Sequence, residues 1–173
     1  MAKFPACMFC IALAGCASTP PSDIPASLQE PAGEVLVKEL HAKGVQVYAC
    51  RAVKNDPTHF AWTFVQPEAD LFTSGGSKAG KHYAGPTWEA NDGSKVVGEV
   101  VASVNSPQPG SIAWLLLSAK ANSGKGKFEH VNSVQRLHTV GGAAPSGGCS
   151  QAQVGQELRA SYTADYLFYA ARN

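Results

Sequence analysis

The run Thr87-Trp88-Glu89-Ala90 is followed by Asn91-Asp92-Gly93-Ser94 and then by the β-rich stretch Lys95–Val104 (KVVGEVVASV). Asp-Gly between two such runs folds the chain back on itself, because Gly and Asn or Asp accept positive φ at little steric cost. The flanking segments are thereby committed to an antiparallel pair. The same grammar recurs along the chain. Residues 45–51 (VQVYACR) alternate Val45, Val47 and Ala49 against Gln46, Tyr48 and Cys50, a strand period. Residues 61–65 (AWTFV) and 69–73 (ADLFT) read as two further strands, and Pro67 between them opposes a continuous helix. Gly75-Gly76 supplies the next turn. Residues 112–119 (IAWLLLSA) form an apolar run between Pro109-Gly110 and a Gly/Lys-rich loop at 122–127, which fits a buried central strand. Residues 131–140 and 156–171 supply the last strands, the second open to partial helix, and residues 34–42 fit either a short helix or an initial strand. The expected fold is mainly β: an antiparallel β-sandwich or barrel-like single domain with long Gly/Pro-rich loops.

Charge narrows the class of partner. Fourteen Lys+Arg stand against 13 Asp+Glu, and charged residues make up only 16% of the chain. A nucleic-acid binder needs a basic face to neutralise phosphates, and so balanced a charge argues against one. The composition also lacks the Glu/Lys/Leu richness of a coiled coil, and 45% hydrophobic residues exclude disorder throughout.

The N-terminus speaks for export. Lys3 precedes a short apolar stretch, residues 7–12, that ends in Leu13-Ala14-Gly15-Cys16. The stretch is too short to span a bilayer, which takes about 20 apolar residues. A charged start, a short apolar run and small residues form the secretory pattern. LAGC resembles the lipobox of bacterial lipoproteins, in which the cysteine is acylated and becomes the new N-terminus. The expected organisation is a signal peptide over residues 1–15, a lipidated Cys16 with a Pro-rich tether over 16–33, and one domain over 34–173. Ala17 after the cysteine resembles lipoproteins sorted to the periplasmic face of the outer membrane. The membrane is then a partner through the lipid on Cys16. Loss of Lys3 with the signal peptide leaves 13 basic against 13 acidic residues.

Cysteine parity agrees. Cys7 and Cys10 leave with the signal peptide and Cys16 is committed to lipid, so Cys50 and Cys149 remain as a pair in an oxidising compartment. A disulfide between them closes a loop of about 100 residues and stabilises by up to about 4.7 kcal/mol in the chain-entropy view. The competing reading, a redox or metal-binding thiol pair, lacks CxxC spacing and a nearby His.

Residues 82–94 (HYAGPTWEANDGS) also resemble the signature of exported bacterial and fungal proteins grouped as domain of unknown function 3455. The similarity continues through Pro109-Gly110, residues 112–117, Gln135-Arg136, residues 139–142, Pro145, Gly148-Cys149 and residues 162–166. It covers nearly all of the chain after residue 40 and implies no established activity.

His82, Glu89 and Asp92 are the candidate catalytic residues, with a carboxylate as general acid or base and His82 as its partner. Trp88, Asn91 and Arg136 are the candidate ligand contacts, Trp88 by stacking on a sugar or other planar group and Arg136 by holding an anion. The structural alternatives are plain. Asp92 shapes the turn, Trp88 packs in the core, Glu89 pairs with Lys81 or Lys95, and Arg136 pairs with Asp165 or Glu89. Residues 75–81 match GxxxxGK, but His82 stands where Ser or Thr must bind magnesium and Gly85-Pro86 prevents a following helix, so the segment reads as a hairpin loop. No GxGxxG, HExxH or GxSxG is present, and the spacing of His41, His59, His82, His130 and His138 assigns no metal. No cofactor is expected. The functional expectation is a lipid-anchored envelope protein, non-enzymatic, that binds a small molecule, glycan or envelope protein or serves as a structural accessory. The alternative is a cofactor-free hydrolase of envelope polymers acting through His82, Glu89 and Asp92.

Overall fold

A computed structural model describes residues 24–172; Cys16 and the expected signal peptide lie outside them. Eight strands follow in chain order: β1 (Glu34–Val53), β2 (Asp56–Phe72), β3 (Lys78–Tyr83), β4 (Thr87–Ala90), β5 (Lys95–Val104), β6 (Trp114–Ser123), β7 (Val131–Gly141) and β8 (Glu157–Ala171). Each is antiparallel to its sequence neighbour, and β1 closes the ring on β8. The topology is an up-and-down barrel, in which closure removes the free sheet edge.

The strands are longer and more continuous than local patterning indicates. Residues 34–42 and 45–51 belong to one 20-residue strand, β1. Likewise 61–65 and 69–73 lie on the single strand β2, with Pro67 inside it opposite Gln46. Pro67 is tolerated because β3 does not pair with β2 until Ala69, so one side of the strand is an edge at that point. Residues 157–171 are strand throughout, paired with β1 on one side and β7 on the other. The strand β3 was hidden in a segment with too few apolar residues to signal one. Its Gly80 approaches β4 so closely that a Cβ there would lie 2.2 Å from the Glu89 carbonyl oxygen.

Eight strands enclose an interior that side chains fill or that holds one small ligand. Here the lower part is filled. Leu40, Leu71, Trp88, Val96, Leu117, Phe128, Val134, Tyr166 and Phe168 form its packed core. A second apolar cluster sits outside the ring, where Trp114 and Leu116 of β6, Leu137 of β7 and Leu167 and Tyr169 of β8 are covered by Ile24 and Leu28. The segment expected to be an extended tether is thus, from Ile24 onward, a strap packed on the barrel. A 3-10 turn at Ala26–Leu28 forms it. Buried Gln135 donates from Nε2 to the Leu28 carbonyl at 2.6 Å and accepts from the Tyr169 hydroxyl at 2.7 Å. Four prolines in residues 17–33 hide this seat, because only two apolar side chains, well spaced, do the packing.

Cys50 and Cys149 are joined in a disulfide. It pins the β7–β8 connection against the end of β1, reinforced by hydrogen bonds from the Cys149 N–H to the Phe60 carbonyl and from the Gly155 N–H to the Cys50 carbonyl.

Candidate ligand cavity at the barrel mouth

Unequal strand lengths open the barrel wall. β3 and β4 have 6 and 4 residues, against 17 in β2 and 10 in β5. β2 meets β3 only from Ala69 onward, and β4 meets β5 only between Thr87↔Val97 and Glu89↔Lys95. Beyond the short hairpin, β2 and β5 face each other without a ladder. A cavity of about 570 Å³ lies there, with Gln46, Tyr48, His82, Leu115 and Arg136 on its inner side and Phe64, Val65 and Val100 at its rim. The three rim residues are exposed, so the entrance is apolar.

The inner end is polar, and the alternation of β7 explains why. Val134 packs in the barrel core, and two residues on Arg136 also points inward, beneath the cavity. Its Nε donates to the Ala113 carbonyl at 3.0 Å. Among the described residues no carboxylate comes within ion-pair distance of it. Gln46, 2% exposed, presents an Nε2 without a hydrogen-bond partner. A buried donor such as this amide is costly unless something accepts from it.

His82 sits at the junction of the polar and apolar layers. Its ring stacks on Trp88 at 4.6 Å and lies 5.0 Å from Tyr166. Burial, helped by the Arg136 charge, pulls its pKa down to about 3, so the ring is neutral at physiological pH. Its Nδ1 lies 2.9 Å from the Thr87 carbonyl, which can only accept; the proton is therefore on Nδ1 and Nε2 is left as an acceptor. Burial also raises the Tyr48, Tyr162 and Tyr166 hydroxyls, against the pull of Arg136, and keeps them protonated. Tyr48 donates to the Gly142 carbonyl at 2.7 Å, which fixes the loop that carries Ala143 and Ala144 to the cavity edge.

The residues singled out from sequence separate. His82 and Trp88 face the interior, and Trp88 is a core residue with its ring against Tyr166 and Phe168. Glu89 is on the outer face, where it accepts from the Tyr83 hydroxyl at 2.8 Å and lies 3.6 Å from Lys81 and 3.4 Å from Lys95. Asp92 caps the hairpin turn, accepting from the Ser94 N–H and hydroxyl and from the Lys127 N–H. Asn91, exposed at the same turn, donates to the Lys78 carbonyl. His82, Glu89 and Asp92 therefore do not converge. The Tyr83 hydrogen bond holds the Glu89 carboxyl below its usual range, and the Ser94 hydroxyl, above all, takes Asp92 down to about 2. A general acid requires the opposite shift.

Arg136 has neither of its expected partners. Asp165 lies on the outer face with His41 and His138, and Glu89 is held by lysines. The arginine is left as an anion contact. Gln46 and Tyr48, which also line the cavity, carried no motif, and the strand alternation that displays them is blind to which face turns inward.

Fold and cavity together define a small closed β-barrel with a lateral, apolar-rimmed mouth over a half-buried arginine. The chain belongs to the family described as Protein of unknown function (DUF3455), over residues 31–170. No curated protein and no solved structure matches it.

Proposed function

We propose that this chain is an exported binding protein, held by a lipid on Cys16 at the periplasmic face of the outer membrane, whose barrel takes up a small amphipathic molecule with an acidic head group. The observation that carries the reading is Arg136, a cation that has no carboxylate partner among the described residues, at the inner end of an apolar cavity. The acidic group lies against Arg136 and Gln46, and the apolar part lies along Leu115, Val100 and Phe64. Export is supported by the Cys50–Cys149 disulfide, which persists in oxidising compartments. Ile24, where the strap begins, is eight residues after Cys16, a reach of at most about 29 Å at full extension. A barrel tethered this briefly stays within reach of molecules leaving the bilayer surface.

The test compares sodium decanoate with decan-1-ol by titration calorimetry. Decanoate is expected to bind more tightly, and Arg136→Gln to weaken it about 10- to 100-fold, the loss of one charged hydrogen-bonded pair, with decan-1-ol unaffected. Equal affinity for the two, or decanoate binding indifferent to the substitution, overturns the assignment. Mass spectrometry of membrane-extracted protein tests the anchor separately: an acylated Cys16 N-terminus is expected, and an unmodified thiol refutes it.

A further inference from the structure

Outside the barrel, on the far side of the wall from the cavity residues, three strands bring ionisable side chains together. Leu40 and Ala42 point into the core, so Glu39 and His41 of β1 project outward. Asp165 of β8 stands directly opposite His41 in the ladder and also projects outward, since Ala164 and Tyr166 are core residues. Atoms of Glu39, His41 and Asp165 suited to hold a cation all lie within 4.8 Å of one another. His41 Nδ1 is 2.6 Å from Asp165 Oδ1.

A fourth residue arrives by an irregularity. The β7–β8 register slips between Leu137 and Val140, and His138 adopts φ 49°, a left-handed conformation that costs a non-glycine residue about 1–2 kcal/mol. Strand bulges of this kind re-aim a side chain. Here the slip brings His138 Nδ1 to 2.8 Å from Asp165 Oδ2, with its ring edge-on to the buried Trp114 at 5.2 Å. Asp165 is therefore held from both sides by imidazoles.

We propose that Glu39, His41 and Asp165 bind a divalent first-row transition-metal ion, with His138 as the positioning residue that orients Asp165. One imidazole and two carboxylates suit zinc, manganese or nickel and offer too much nitrogen for calcium or magnesium. The ion takes the place of the proton between His41 Nδ1 and Asp165 Oδ1; in the neutral ring that proton moves to Nε2. His138 keeps its N–H on the other carboxylate oxygen, an outer-shell hydrogen bond that fixes the orientation of the ligating carboxylate. Both flanking carboxylates are partly exposed, so the ion retains water and remains exchangeable. The site is independent of the ligand cavity.

The experiment is calorimetric titration of the folded, disulfide-intact domain with zinc chloride, repeated with calcium chloride. Zinc is expected to bind at one site and calcium not at all. His41→Gln and Asp165→Asn are expected to abolish the zinc site. His138→Gln is expected to weaken it about 10- to 100-fold, as loss of an outer-shell partner does. His59→Gln removes an imidazole that pairs with Asp56 elsewhere on the surface and is expected to leave the affinity unchanged. Melting curves in EDTA establish that each variant is folded. No zinc binding to the parent domain, zinc binding that survives His41→Gln in a folded variant, or equal binding of calcium overturns the proposal.

Discussion

Leu28→Ala is the sharpest probe of how the N-terminal segment is used. Leu28 is fully buried, although it lies outside the barrel in a stretch whose prolines suggest free chain. The substitution removes three carbons from a seat made by Trp114, Leu116, Leu137, Leu167 and Tyr169. At about 0.8 kcal/mol per buried methylene the transfer loss is about 2.4 kcal/mol. A residual cavity adds to that, and measured Leu→Ala changes in cores span about 2–5 kcal/mol. The lower half of the range is expected, because a strap can settle inward more easily than a strand can. Settling has a ceiling: if the strap lifts altogether, Gln135 loses the Leu28 carbonyl but gains water in its place. The expected destabilisation is therefore about 2–3 kcal/mol, a fall in Tm of about 5–10 °C for a domain of this size. Urea unfolding followed by tryptophan fluorescence measures it, since Trp114 lies in the seat. Leu36→Ala, at a half-exposed position on β1, is the control and is expected to fall within about 0.5 kcal/mol of the parent. A Leu28→Ala change no larger than the control refutes the packed strap.

Three further outcomes are expected. His82→Gln flattens the pH dependence of stability: the unfolded chain takes up a proton below about 6.5 that the buried ring accepts only near 3, so the neutral ring's contribution to the parent's stability is complete above 6.5 and is lost as pH falls toward 3. Urea midpoints of parent and variant that run parallel between pH 7 and pH 4 contradict the buried neutral imidazole. Gly98→Ala destabilises by about 1–3 kcal/mol through overpacking, because the added Cβ would stand 2.9 Å from Trp88 Cζ3 and 3.2 Å from Leu117 Cδ2; an unchanged urea midpoint counts against this packing of the Trp88 ring. Replacing Cys50 and Cys149 together by Ala costs up to about 4.7 kcal/mol and also weakens decanoate binding, since the freed loop carries Ala143 and Ala144; full affinity in the variant argues against that loop as part of the cavity.

Local chemistry was enough for much of this molecule. The Asp92-Gly93 turn, the boundaries of β4 and β5, the apolar β6 and the pairing of Cys50 with Cys149 were all legible, because each depends on residues adjacent in sequence or on simple parity. The antiparallel β class followed from them, and the barrel was one of two architectures left open. Other features depend on what lies across the sheet. Whether residues 156–171 are strand or helix is settled by β1 and β7, which satisfy their backbone groups from both sides. Pro67 is harmless because its neighbour strand is too short to reach it.

The functional candidates divide along the same line. His82, Trp88, Glu89 and Asp92 are neighbours in sequence, yet a strand sends successive side chains to opposite faces, and the turn carries Asp92 away from both. Sequence by itself determined the type of fold, the disulfide partners and the hairpin at Asp92-Gly93, all of which are set by nearby residues or by counting. Only the closed ring decided which side of each strand is inside. It put Arg136 beneath the mouth with no acid beside it among the described residues, and gathered Glu39, His41, His138 and Asp165 from three strands onto one patch. Register and closure arise from long-range pairing, and no single segment encodes them.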